Sequence, residues 1–368
     1  MSHAEKQRRS VPSSDWGAVA WTEPKHQRGK VDAAGECFSK HDAKDLTEGE
    51  LNESLDIINN WRSSHSYPLQ VLKMTLLQRA RAVDQKAIVA QRIKRISSIL
   101  SKLQRNDHMK LSQMQDLGGC RAVLRSMRAL RRLVDLHEKS KAKNPHVRPE
   151  LLKKYGYISA PKADGYRGIH LVYKYRTGST AHSVYNGLRI EIQMRSRLQH
   201  AWATAVETAS TFTGQALKSN MGEPAWKRFF SLMGSAIVLR EKCPPVPDTP
   251  VDRTLVKELR ALSQELRIEA VLESWKVMVN VLGKKSDVDA YLLVLDASTR
   301  KITVQPYRKE EVPRALEEYL DVEKKNSEKP EIQAVLVSVT SLQALKTAYP
   351  NYYLDTGEFL NAFRRAIS

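Results

Sequence analysis

At 368 residues, with 41% hydrophobic and 27% charged side chains, the chain has the length of about two globular domains and the composition of neither a disordered nor a fibrous protein. No stretch approaches the roughly 18 consecutive apolar residues that a membrane span needs. Met1–Gly17 is basic but lacks an apolar region behind the charges. Three widely spaced cysteines, Cys37, Cys120 and Cys243, make neither a disulfide framework nor a zinc site. The expectation is a soluble, reduced, cytoplasmic protein with no membrane role.

Charge is more informative. Lys and Arg number 60 against 41 Asp and Glu, a net of +19. From Arg79 to Tyr155 there are 20 basic and 6 acidic residues, so +14 of that excess lies in one stretch. A stripe of this kind attracts a polyanion, either nucleotide phosphates or nucleic acid; a solvated basic face is the plainer alternative.

In chain order, residues 1–45 are polar and aperiodic and read as a mobile arm. Residues 48–65 and 68–85 carry helical spacing, with Leu51, Leu55, Ile58 and Trp61 on one stripe. A basic helix follows, starting just after Arg92 and running to about Leu103. Strand signals near 116–124, 168–175 and 187–195 alternate with helical stretches around 127–140 and 197–216. That alternation predicts an α+β fold, a mixed β-sheet flanked by helices, over 46–242. Four prolines between Cys243 and Pro250 mark a linker over 243–251. Beyond it, 252–368 reads as a helix (252–282) and a small C-terminal α+β module: a hairpin of 290–295 and 301–307 turning at 296–299, a helix over 310–325, a strand over 332–340 and a helix over 355–367.

Four motifs carry chemistry. In Arg92–Arg105, Lys94, Arg95, Ser98, Lys102 and Arg105 fall on about a third of a helix circumference, opposite Ile93, Ile96, Ile99, Leu100 and Leu103. Several cations and a hydroxyl on one face suit a triphosphate; an amphipathic surface helix would look the same. In Asp116-Leu-Gly-Gly-Cys-Arg121 a carboxylate at a strand edge beside glycines suits a Mg²⁺ ligand, although most such turns are only turns. The loop Pro161-Lys162-Ala-Asp-Gly165-Tyr166-Arg167-Gly168-Ile-His170 presents a ring for stacking together with phosphate donors; packing is the alternative role for its tyrosine. In Leu188–Arg195, Leu188, Ile190, Ile192 and Met194 face a core while Arg189, Glu191, Gln193 and Arg195 face away. Carboxylates at 116 and 191, a cationic segment and a stacking loop in one α/β region together fit phosphoryl-type chemistry on nucleotides.

In this order the motifs resemble the synthetase domain of the RelA/SpoT family. The pattern R-x-K-x-x-x-S-I-x-x-K-L is met from Arg92 to Leu103, D-x-x-G-x-R from Asp116 to Arg121, P-K-x-x-G-Y-R-x-x-H from Pro161 to His170, and E-x-Q-x-R from Glu191 to Arg195. Trp61-Arg-Ser-Ser-His65 and Gln199-His-Ala-Trp-Ala203 are similar to family segments as well. The resemblance covers about 50–215 and implies transfer of pyrophosphate from ATP to a ribose 3′-hydroxyl, with release of AMP. It implies ATP binding by Arg92, Lys94, Ser98, Lys102 and Arg121. Asp116 would hold Mg²⁺, with Glu191 completing the metal site or accepting the hydroxyl proton. Tyr166 would stack the acceptor base, and Lys162, His170, Gln193 and Arg195 would contact the acceptor.

Position 164 is Asp where many members have Asn. No hydrolase domain is recognisable: His41-Asp42 is an isolated pair without the other histidines such a metal site requires. The leading expectation is a stand-alone synthetase that makes guanosine alarmones, (p)ppGpp, from GDP or GTP. A toxin-like member acting on the 3′ end of tRNA or on an adenosine nucleotide is the second, and a silent nucleic-acid-binding module a remote third. Further expected partners are tRNA or the ribosome along 79–155, a second copy in a homo-oligomer, and a regulatory partner at 252–368.

Overall fold

The computed structural model describes residues 21–38, 47–106, 108–139, 149–213, 224–266, 268–269, 290–296, 301–326, 332–338 and 357–368. His41, Asp42, the turn residues 297–299 and residues 270–282 of the helix expected over 252–282 lie outside the described residues. Of the segment read as an arm, 28–36 is helical: α1 (Arg28–Glu36) buries Val31 and Ala34. Nine residues are too few for a helical period to stand out in the sequence.

α2 (Glu48–Ser64) starts at a reciprocal cap. The Thr47 hydroxyl accepts from the Glu50 amide, and Glu50 accepts from the Thr47 amide at 3.0 Å. α3 (Ser66–Val83) buries Leu69, Leu72, Leu76 and Ala80, one every three or four residues. It stops at Asp84, whose buried carboxylate accepts from the amides of Lys86 (3.1 Å) and Arg125 (2.9 Å) and from Arg125 Nε (2.8 Å).

Five strands form the main sheet: β1 (Ile88–Ile93), β2 (Gly118–Leu124), β3 (Glu150–Gly156), β4 (Ile169–Lys174) and β5 (Arg189–Ser196), in the order β1-β2-β5-β4-β3. The central β2–β5 pair is parallel and the others antiparallel, so the sheet is mixed, as expected. Leu188, Ile190, Ile192 and Met194 are buried with Cys120, Ala122 and Leu124 against α3 and α5 (Met127–Lys139). The other face of the sheet carries the polar residues of the motifs.

Two edge strands depart from the sequence reading. β1 occupies the start of the expected basic helix, because Lys94 N still donates to Leu117 O at 2.7 Å and extends the ladder. The helix, α4 (Ile96–Gln104), therefore begins at Ile96 and buries Ile99 and Leu103. β3 has exposed residues over most of its length and gives no apolar alternation to read.

A second core lies among helices. α6 (Arg197–Thr213), α7 (Pro224–Glu241), α8 (Arg253–Glu265) and the last helix, α10 (Gly357–Ile367), bury Trp202, Phe229, Phe230, Leu259, Phe359 and Phe363 together. The Pro-rich segment packs back on α7, with Val246 buried and its amide donating to Ser235 Oγ at 2.8 Å. β6 (Ala290–Asp296), β7 (Lys301–Tyr307) and β8 (Ile332–Ser338) form an antiparallel sheet in the order β7-β6-β8, with α9 (Val312–Lys325) against it. Among the described residues no helix is long and apolar enough to cross a membrane.

Candidate functional site

The register of the sheet assembles the site. Arg121, Gln193, His170 and Tyr155 are successive partners across β2, β5, β4 and β3. Arg92, Gly119 and Glu191 form the neighbouring row, and the glycine places no side chain between the other two. Antiparallel pairing of β1 with β2 brings Lys94, just past one strand, beside Asp116, just ahead of the other.

At that end Asp116 is held from both sides. Lys94 Nζ donates to Oδ2 and Lys102 Nζ to Oδ1, each at 2.9 Å. Burial would raise the Asp116 pKa, but the two ammonium groups outweigh it and hold it down at about 2. Burial lowers Lys94, as do Lys102 and Arg92, while Asp116 opposes the shift. Ser98 lies exposed on α4, outside this contact.

Glu191 anchors a second, directional network. Its Oε1 meets His170 Nδ1 at 2.7 Å, and its Oε2 accepts from Gln193 Nε2 at 2.7 Å. Since an ionised carboxylate only accepts, His170 carries its proton on Nδ1. Its Nε2 meets the Tyr166 hydroxyl at 2.5 Å. Arg195 donates to that hydroxyl at 2.7 Å and to Gln193 Oε1 at 3.1 Å, where Arg121 Nε also arrives at 3.4 Å. Burial and Asp116 raise the Glu191 pKa, yet the bonds from His170 and Gln193 leave it below the ordinary value. Both carboxylates are thus ionised, and each lies in the other's field.

Arg121 joins the two halves. Burial pushes it down to about 9, and the charges of Arg195 and Arg92 add to the shift. This concentration of cations is a standing attraction for a polyanion.

Tyr166 is set by its loop. Gly165 has φ +92°, and Asp164 Oδ1 accepts from the Tyr166 amide at 2.8 Å. An asparagine oxygen would accept the same bond, so the departure at 164 conserves the turn. Cations lie over the Tyr166 ring, Arg195 at 5.0 Å and Lys162 at 5.4 Å from its centre.

Every candidate residue except Ser98 and Arg92 thus falls within one of these contacts, and Arg92 shares the sheet row of Glu191. Several others were not singled out in the sequence. Arg62, buried on α2, donates from Nε to Lys94 O at 2.7 Å and from Nη2 to the Tyr319 hydroxyl of α9 at 2.6 Å, so the small module reaches the turn that carries Lys94. Tyr157 lies under Lys162 Nζ at 4.6 Å. His200 on α6 is buried with neither ring nitrogen hydrogen-bonded. Burial, Arg121 and Arg195 keep it neutral. The Trp61–His65 and Gln199–Ala203 segments offered a signal for two of these, without showing what the side chains do.

Comparison with protein families gives one match, over residues 91–215, to the region found in RelA and SpoT proteins. This segment is a RelA/SpoT region. It contains all four motifs, from Arg92 to Arg195. Among solved structures, similar chains include the small alarmone synthetase 2 of Bacillus subtilis (18% identity, TM-score 0.41, covering 50% of this chain and 94% of that one). Others are a GTP pyrophosphokinase family protein of Streptococcus pneumoniae (21%, 0.39, 54% and 91%) and the small alarmone synthetase 1 of Bacillus subtilis bound to pppGpp (20%, 0.38, 47% and 86%). Comparison with curated proteins gives no match.

Proposed function

We propose that the RelA/SpoT region transfers the β,γ-pyrophosphate of ATP to the ribose 3′-hydroxyl of GDP or GTP, making (p)ppGpp and releasing AMP. The observation that supports this best is the pair of ionised carboxylates, Asp116 and Glu191, flanked by two separate recognition sets. Lys94 and Lys102 lie on one side, with Tyr166, His170, Gln193 and Arg195 on the other. Two separate sets, each with its own carboxylate, support a reading with one donor and one acceptor.

In this reading Arg92, Lys94, Lys102 and Arg121 hold the ATP polyphosphate, with Ser98 at the edge of α4. The acceptor base stacks on Tyr166, and Lys162 and Arg195 meet acceptor phosphates. The 3′-oxygen attacks the β-phosphorus, the bond from that phosphorus to the α–β bridging oxygen breaks, and Glu191 accepts the hydroxyl proton. Positioning and charge do most of the catalytic work.

Asp116 and Glu191 are hard-oxygen donors and fit a divalent cation such as Mg²⁺. Among the described residues no group of three or more His, Cys, Asp and Glu gathers. Such an ion would therefore depend on phosphate oxygens as well, the usual habit of Mg²⁺. When bound it supplies neutralisation of charge on the transferring group.

A second reading takes the 3′ end of an RNA such as tRNA as acceptor. Next to Tyr166, Tyr155 and Tyr157 stack at 5.9 Å and 13°, with Lys153 over Tyr155 at 4.8 Å. Aromatic rings alternating with cations suit successive bases. The experiment offers ATP labelled on its γ-phosphate with GDP, GTP, ATP or bulk tRNA separately. Label on GDP or GTP is the expected result. Label on tRNA or ATP alone transfers the assignment to that acceptor, and no label with ATP intact overturns the enzymatic reading.

A further inference from the structure

Asp116 is the carboxylate best suited to hold a cation beside the donor, yet both of its oxygens are taken by ammonium groups at 2.9 Å. The three side chains are largely shielded from solvent, with exposures of 14% for Lys94, 29% for Lys102 and 25% for Asp116, so water screens the contact only in part. Lys102 and Arg92 both act unfavourably on the charge of Lys94, and Asp116 relieves it. The carboxylate is therefore the internal counter-ion of a cation cluster. A free divalent cation arriving alone meets a net positive group in which each carboxylate oxygen already accepts from an ammonium group. A polyphosphate arriving alone competes with Asp116 for the same lysines.

We propose that Lys94 and Lys102 form a charge lock on Asp116 that donor nucleotide and divalent cation release together. When the lysines move to phosphate oxygens, Asp116 is freed for the cation, and the cation compensates the carboxylate that the lysines have left. The two ligands then bind with positive coupling, and linkage makes the effect reciprocal. Filling of the site by cation alone, or by metal-free nucleotide alone, is correspondingly disfavoured. This inference rests on the reading of the Lys94 side as the ATP site.

The test measures binding rather than turnover, on the full chain. Mn²⁺ is the metal probe, followed by electron paramagnetic resonance, and the α,β-methylene analogue of ATP is the donor probe. Without nucleotide, the wild type is expected to bind Mn²⁺ weakly. Lys102→Met, which frees one Asp116 oxygen, is expected to bind it about tenfold more tightly, a typical size for site coupling. Arg105→Gln removes a cation from the same helix without touching Asp116 and serves as the control. In EDTA, Asp116→Asn is expected to bind the analogue several-fold more tightly than the wild type, because its lysines have lost their internal partner.

Unchanged or weaker Mn²⁺ binding by a folded Lys102→Met overturns the lock. An equal gain in Arg105→Gln also overturns it, since general repulsion then accounts for the effect. If the wild type fails to bind the analogue even with Mn²⁺, the ATP reading itself fails. That outcome is separate from the lysine effect on Mn²⁺.

Discussion

The Tyr166 hydroxyl meets His170 Nε2 at 2.5 Å, and the opposite nitrogen of the same ring meets Glu191 at 2.7 Å. The residue offered as the base-stacking platform is thus wired to the carboxylate offered as proton acceptor. Arg195 donates to the same hydroxyl at 2.7 Å. Tyr166→Phe keeps the ring and removes only this link. One net hydrogen bond is worth about 1–1.5 kcal/mol, so the expected loss in kcat is about tenfold with little change in acceptor KM. Steady-state kinetics with each acceptor checks this, and a loss confined to KM would assign the hydroxyl to binding alone.

Gly165 makes the Tyr166 loop possible in two ways. Its φ of +92° is one that other residues adopt at a cost, and a Cβ there would lie 2.8 Å from Phe230 O and 2.9 Å from Trp202 Cζ2. Both contacts belong to the helical core, which cannot yield as a long side chain would. Gly165→Ala is expected to lose about 2 kcal/mol or more of stability from the backbone conformation and the overlap together. It is also expected to raise the acceptor KM by displacing Tyr166. Thermal unfolding and kinetics check both, and an unchanged melting temperature would show that the loop relaxes freely.

The polar face of β5 and the buried face behind it were legible because strict alternation has a single structural meaning. Asp116, Lys162 and His170 were legible as chemistry from residue type and glycine spacing. The position of Lys94 was not. A stretch with helical spacing from Arg92 is split in the structure between β1 and α4, because pairing with Leu117 outlasts the strand by one residue. Local periodicity carries no information about a partner strand 24 residues away. Tyr157 gave no signal, and the segments holding Arg62 and His200 did not show what those side chains do, since tertiary neighbours give each of them its surroundings. The contribution of the last helix to the second core is equally non-local.

Asp84 makes stability depend on pH away from the site. Burial would raise its carboxyl pKa, but bonds from the Arg125 and Lys86 amides and from the Arg125 guanidinium hold it below the ordinary value. A depressed folded-state pKa means that the contribution is fully present above the unfolded value, near 4. It is lost as pH falls through the folded value. Asp84→Asn is expected to cost about 2 kcal/mol at pH 7, because an amide replaces a charge that three donors face. The gap from the wild type should begin to narrow below about pH 4 and keep closing as pH falls through the depressed folded value. Urea unfolding at pH 7 and pH 3 measures both, and a gap that stays constant would exclude the charge as its source.

Phe363, five residues before the last, is fully buried and meets Phe229 with ring centres 5.7 Å apart at 63°, while Phe359 lies 5.9 Å from Phe230. Phe230 O in turn accepts from Trp202 Nε1 at 2.8 Å and is the atom that Gly165 approaches. A continuous packed path therefore leads from α10 through α7 to the Tyr166 loop. Phe363→Ala is expected to cost about 3–5 kcal/mol, as deletion of a buried aromatic ring does. In whatever fraction stays folded, acceptor KM should rise more than donor KM, because the path ends at Tyr166 and not at Lys94. Calorimetry and kinetics on the intact chain test the two parts separately. Equal changes in both KM values would mean that the loss of α10 packing acts on the whole fold and not through this path.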